Sequence, residues 1–105
     1  MLTLHSSDEW RTWLAQHADC EAEVWLAIAH KDTNGVHYGE AVEQALCFGW
    51  IDSHARAADA HSFMLRFTPR RAKSKWSKVN LQRAARMIEL GLMTEKGKAA
   101  MVVVG

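Results

Sequence analysis

At Gly49 the spacing of apolar residues changes period, and that change fixes the kind of fold the chain can adopt. Before it, Val42, Ala45, Leu46 and Gly49 fall at i, i+3, i+4 and i+7, with Glu40, Glu43 and Gln44 outside the stripe. This is one face of an amphipathic helix stopped by a glycine. After it, Trp50 to Ala57 and Ser62 to Phe67 alternate on either side of Asp59 and its flanking alanines, which reads as a β-hairpin turning over Ala58 to Ala60. A register whose paired numbers sum to an even value puts Ile51 and Ala55 on one face with Phe63, Leu65 and Phe67. With that three-residue loop, Asp52 lies opposite Arg66 and His54 opposite Met64.

The flanking segments complete the pattern. Ser6, three residues before Glu9, starts a first helix as a capping box, and Trp10, Trp13, Leu14 and His17 recur at helical spacing behind it. The continuous apolar run between Glu23 and His30 fits a strand buried on both faces, and Asp32 to Gly35 is a turn. Thr68-Pro69 closes the hairpin, because proline lacks the N–H that a continuing ladder needs. A third helix is expected from about Ser77 to Leu90, with Leu81, Ala84, Ala85 and Ile88 inward and Gln82, Arg83, Arg86 and Glu89 outward, ended by Gly91. Thr94 caps a short fourth helix reaching Met101. The apolar Val102 to Val104 is expected to dock or to lead into a longer chain. At 105 residues, this is one α+β domain spanning 1–105: a small three-stranded, mainly antiparallel sheet with about four helices packed on its apolar face.

Whole classes of function drop out. With 49% apolar and 24% charged residues, the composition is that of a packed domain rather than of a disordered segment. No stretch approaches the roughly 18 to 20 apolar residues of a membrane span, and Met1 to His5 has no signal-peptide pattern. Cys20 and Cys47 sit far apart in no metal or redox spacing and read as free thiols of a reducing compartment, so a cytoplasmic location is expected. The six histidines show no HExxH motif and no clustered Cys/His spacing; no metal and no cofactor is expected. Gly-x-Ser-x-Gly, Ser-x-x-Lys and phosphate-loop glycine patterns are also missing, which leaves catalysis without positive support.

The charges are segregated. Residues 1–52 hold two bases against nine acids, a net of −7, and residues 53–105 hold eleven bases against three acids, a net of +8. Between Arg66 and Arg86 there are eight bases and no acid. The sharpest site expectation lies there, as an anion cradle around Arg70 to Asn80. A helix start offers unpaired N–H groups, Ser74 and Ser77 add hydroxyls, and Arg66, Arg70, Arg71, Lys75 and Lys78 add charge around Trp76 and Asn80. The same residues also suit a purely structural role, in which Ser77 caps the helix, Trp76 packs and Asn80 fixes the loop. Trp50 and Asp52 support the site from the hairpin, with Asp52 near Arg66 as an ion pair or a base.

Gly49-Trp50-Ile51-Asp52, Arg66-Phe67-Thr68-Pro69-Arg70-Arg71 and Ser74-Lys75-Trp76-Ser77-Lys78-Val79-Asn80, in this order and spacing, resemble the bacterial bacteriocin-protection family, also called YdeI or OmpD-associated. Tyr38, Ala45-Leu46-Cys47-Phe48 and Gly91-Leu92-Met93-Thr94 continue the likeness, which runs from about residue 9 to 101. The resemblance implies a role in protection against bacteriocins and cationic antimicrobial peptides, and no catalytic residues to carry over. The expected function is therefore a non-enzymatic bacterial stress or bacteriocin-protection domain that binds a phosphate- or carboxylate-bearing partner. One alternative is a nucleic-acid-binding regulatory module, in which the basic stripe tracks a backbone and Trp76 stacks a base. A third reading is an unassigned enzyme using Asp52.

Overall fold

A computed structural model describes residues 1–71 and 75–101. In chain order the elements are α1 (Ser7–His17), β1 (Val24–Ala29), α2 (Tyr38–Cys47), β2 (Trp50–Ala57), β3 (Ser62–Pro69), α3 (Lys78–Glu89) and α4 (Glu95–Met101). The strands form one antiparallel sheet in the order β1-β3-β2, and the molecule is an α+β domain of three strands and four helices. The N-terminal segment extends the β1 edge through a parallel bridge, with Leu2 N–H donating to Trp25 O.

Local chemistry sets most helix boundaries. Ser6 Oγ accepts from Glu9 N–H at the start of α1, while the Glu9 carboxylate reaches back to His5 N–H rather than to Ser6. Glu40 closes the start of α2 by accepting from His37 N–H at 2.9 Å. Gly49 ends α2 at φ +77°, a conformation that a side chain disfavours, and the chain then enters β2 directly. Thr94 Oγ1 accepts from Gly97 N–H at the start of α4.

One sheet face carries the core. Leu26 and Ile28 of β1, Leu65 and Phe67 of β3 and Trp50 of β2 are buried against Trp10 and Leu14 of α1 and Val42 and Leu46 of α2. Trp10 stacks on Trp13 with centroids 5.4 Å apart and lies 5.0 Å from the Phe67 ring. The centre of β1 is buried on both faces as expected, since Ala27 is buried between Leu26 and Ile28; toward its start, Trp25 is half-buried and lies under the Arg56 guanidinium at 5.1 Å. The no-span expectation agrees with the fold, since no helix among the described residues is long and apolar enough to cross a membrane.

Three expectations are corrected. The hairpin loop has four residues between strands, not three, because the Asp59 carboxylate accepts from His61 N–H and Ser62 N–H at 2.8 Å each and folds the loop around itself. The register also shifts between Asp52 and Ala55, so Asp52 pairs with Phe67 and not with Arg66. The hairpin closes at Pro69 as expected: β3 ends there, opposite Trp50 and beyond the last β1 partner, and Arg70 N–H adds one bond to Gly49 O past the strand end. Finally, α3 is rotated from the expected face. Ala84 and Met87 are buried, while Leu81 and Ile88 are each 45% exposed and Ala85 is exposed. Arg83 over the Tyr38 ring and Arg86 paired with Glu43 tie α3 to α2 in that rotation.

The bonds to Asp59 hold its carboxyl below the usual carboxylate value, the His61 N–H contributing most and Ser62 next. The charged form is the one that folding favours, so this stabilisation is present above the ordinary value of 3.8 and is lost as pH falls through the lower folded value. Asp59→Ala is expected to lower the denaturation midpoint at pH 6, and the gap to the parent chain is expected to narrow by pH 3. An equal gap at both values would show that the carboxylate charge does not hold the loop.

Candidate functional site

The bases of the acid-free run divide into those that the fold neutralises and those that it leaves open. Arg66 turns to the other sheet face, where Nη2 reaches Glu23 Oε2 at 2.8 Å and Nη1 reaches Ser53 Oγ at 3.4 Å. It therefore belongs to a surface ion pair and is not brought to the loop after β3. Arg86 pairs with Glu43. Arg71, Lys75 and Lys78 are exposed and take part in no ion pair among the described residues.

The loop is anchored by Arg70 and Trp76. The Arg70 guanidinium sits 4.0 Å from the Trp76 ring centroid and its Nη2 donates to Lys75 O at 3.4 Å, while Trp76 packs against the core. Burial draws the Arg70 pKa down from the ordinary arginine value, but a guanidinium so far from its titration range stays charged at neutral pH. Ser77 then caps α3, its Oγ accepting from Asn80 N–H at 3.1 Å. That leaves the N–H groups of Lys78 and Val79 without a partner within the helix, in a stretch where Lys75 and Lys78 are exposed. Ser74, an expected donor, lies outside the described residues.

A line of polar contacts runs from this helix start to the hairpin. Asn80 Oδ1 accepts from Arg83 Nη1 at 3.0 Å, Arg83 lies over the Tyr38 ring at 5.5 Å, and the Tyr38 hydroxyl donates to Asp52 Oδ2 at 3.2 Å. Burial, and then the Asp52 charge, raise the Tyr38 pKa above its ordinary value, so the phenol remains a donor. Asp52 thus answers to Tyr38 rather than to Arg66. Trp50 is 1% exposed and donates its indole N–H to Ala18 O at 3.4 Å; it shapes the core and offers no surface to a ligand. Tyr38 and Arg83 lie outside the set expected from sequence. Nothing in their local spacing announces the contact, because Tyr38 is 45 residues from Arg83 and meets it only through the packing of α2 on α3.

Arg71, Lys75 and Lys78 are all exposed. Clefts of about 490 Å³ and 390 Å³ occur elsewhere, the first lined by His30, Lys31, His37, Tyr38 and Phe63 and the second by Leu4, Thr12 and Trp13 among others. An exposed helix start with lysines next to it in sequence can attract and hydrogen-bond an anion. Among the described residues, the donors of His17, Cys20 and Glu21 also come together, at the end of α1. The spacing His17-x-x-Cys20 is the signal that marks them in the sequence.

No curated protein and no solved structure matches the chain. A family model described as a domain of unknown function, DUF8412, matches residues 2–100, all but six residues of the sequence. By that match the chain belongs to the DUF8412 family of domains of unknown function.

Proposed function

We propose that this domain is a non-enzymatic bacterial stress or bacteriocin-protection module of the cytoplasm, which binds a phosphate- or carboxylate-bearing partner through the loop and helix start at Arg70 to Asn80. One observation carries the binding claim. Glu23 and Glu43 of the acidic half neutralise Arg66 and Arg86, yet among the described residues no carboxylate is paired with Arg71, Lys75 or Lys78. All three are exposed, and Lys75 and Lys78 adjoin in sequence a capped helix start whose first N–H groups have no partner within the helix. The protective context rests on the sequence resemblance; the anion chemistry rests on this charge arrangement. Trp76 speaks against base stacking, since one face of its ring is covered by Arg70 and the side chain packs on the core. A polyanion would then be held by its backbone alone, with affinity that grows with polymer length.

Titrating inorganic phosphate into labelled protein is expected to move the amide resonances of Ser77, Lys78 and Val79. The double variant Lys75→Glu, Lys78→Glu is expected to weaken binding by about tenfold or more, as each exposed charge contributes up to about 1 kcal/mol. Unmoved resonances at about 10 mM phosphate and about 50 mM salt would sink the assignment.

A further inference from the structure

Three donor groups of different chemistry meet at the C-terminal turn of α1. The His17 imidazole, the Cys20 thiol and the Glu21 carboxylate each offer one ligand atom, and these atoms lie within 4.8 Å of one another. The backbone brings them there. His17 is the last residue of α1, and the N–H groups of Cys20 and Glu21 both donate to its carbonyl at 3.0 Å, so the three side chains leave one tight turn.

That turn is fixed to the body of the protein. Ala18 N–H donates to Leu14 O at 2.9 Å, the Trp50 indole donates to Ala18 O, and the His17 ring lies 4.9 Å from the Trp13 ring. An incoming ion therefore has little loop entropy to overcome. The carbonyl end of α1 adds partial negative charge beside the group, which favours a cation. Cys20 and Glu21 are exposed and His17 is half-buried, so the donors are reachable, and the adjacent Asp19 is occupied by Lys96.

We propose that His17, Cys20 and Glu21 form a binding site for a divalent transition ion of the zinc class, held by three protein ligands with water in the fourth position. A thiolate and an imidazole prefer such borderline-soft ions to magnesium or calcium, which want oxygen ligands alone. Ligand atoms held by one ion at ordinary zinc distances of about 2.0–2.3 Å lie within about 4.6 Å of one another, close to the spread found here. The ion takes the place of the thiol proton, which leaves to solvent.

The test uses the full chain, zinc chloride and iodoacetamide, with the alkylated cysteine located by mass spectrometry. Cys47 is buried and serves as the internal control. Saturating zinc is expected to slow Cys20 alkylation by about tenfold or more, because the thiolate is the nucleophile and one bound to the ion is not free to attack. Magnesium at the same concentration is expected to leave the rate unchanged. In His17→Ala, which also removes the ring packed on Trp13, and in Glu21→Ala, with the folding of both checked by circular dichroism, the zinc concentration needed for protection should rise about tenfold. Slowing below that level in the parent chain overturns the proposal, as does protection that is unaltered in His17→Ala.

Discussion

Trp10→Ala is expected to remove about 3–5 kcal/mol of stability, a large share of the roughly 5–15 kcal/mol that holds a domain of this size together. The side chain is fully buried, and the ring joins three elements at once. It stacks on Trp13 within α1, touches Phe67 of the central strand, and donates Nε1–H to Ala41 O of α2 at 3.0 Å. Alanine leaves a void between α1 and the sheet that rigid neighbours cannot fill, and it deletes a buried hydrogen bond as well. Trp10→Phe keeps most of the apolar area and loses the bond, so it is expected to cost about 1–2 kcal/mol. Urea unfolding followed by far-ultraviolet circular dichroism measures both. A loss below about 1 kcal/mol for Trp10→Ala would mean that α1 does not pack on the sheet as described.

What could be read from the sequence was set by local chemistry, and what could not was set by contacts between distant segments. Ser6, Ser77 and Thr94 each cap the helix that their position implies, because a cap needs only the next three residues. The hairpin is legible for the same reason, since alternation is local. Its register is not: the bulge after Asp52 and the four-residue loop gathered by Asp59 shift the pairing, and a one-residue shift carries a side chain to the other face. That is why Asp52 meets Tyr38 while Arg66 meets Glu23. Counting apolar residues likewise misplaces α3, because Arg83 and Arg86 anchor on Tyr38 and Glu43 and leave Leu81 and Ile88 half-exposed. In the candidate site, the expected Arg70, Arg71, Lys75, Trp76, Ser77, Lys78 and Asn80 do fall on one stretch of loop and helix start, as contiguity alone ensures. Tyr38 and Arg83 join them only through the tertiary fold.

Gly97→Ala is expected to destabilise the protein by about 1–3 kcal/mol, against the usual gain from replacing a helical glycine. Gly97 is buried in α4, where a Cβ would lie 2.7 Å from the Cys47 carbonyl carbon and would also collide with the Cys47 oxygen and the Met93 sulfur. Met93 can swing aside. The Cys47 carbonyl is backbone at the end of α2 and is already held by Thr94, whose N–H donates to it at 3.1 Å and whose hydroxyl donates to it too. Making room therefore means prising α4 from α2 and losing both bonds, each worth about 1 kcal/mol, which exceeds the roughly 1 kcal/mol that alanine gains over glycine in a helix. Gly39→Ala supplies the contrast. It lies in α2 with nothing within 4 Å of the added Cβ and no left-handed backbone, so alanine there is expected to stabilise by about 0.4–1 kcal/mol. Thermal unfolding of the two single variants beside the parent chain should split them in opposite directions. If both shift upward, α4 is not seated on the end of α2, because only that close approach gives position 97 a penalty that position 39 lacks.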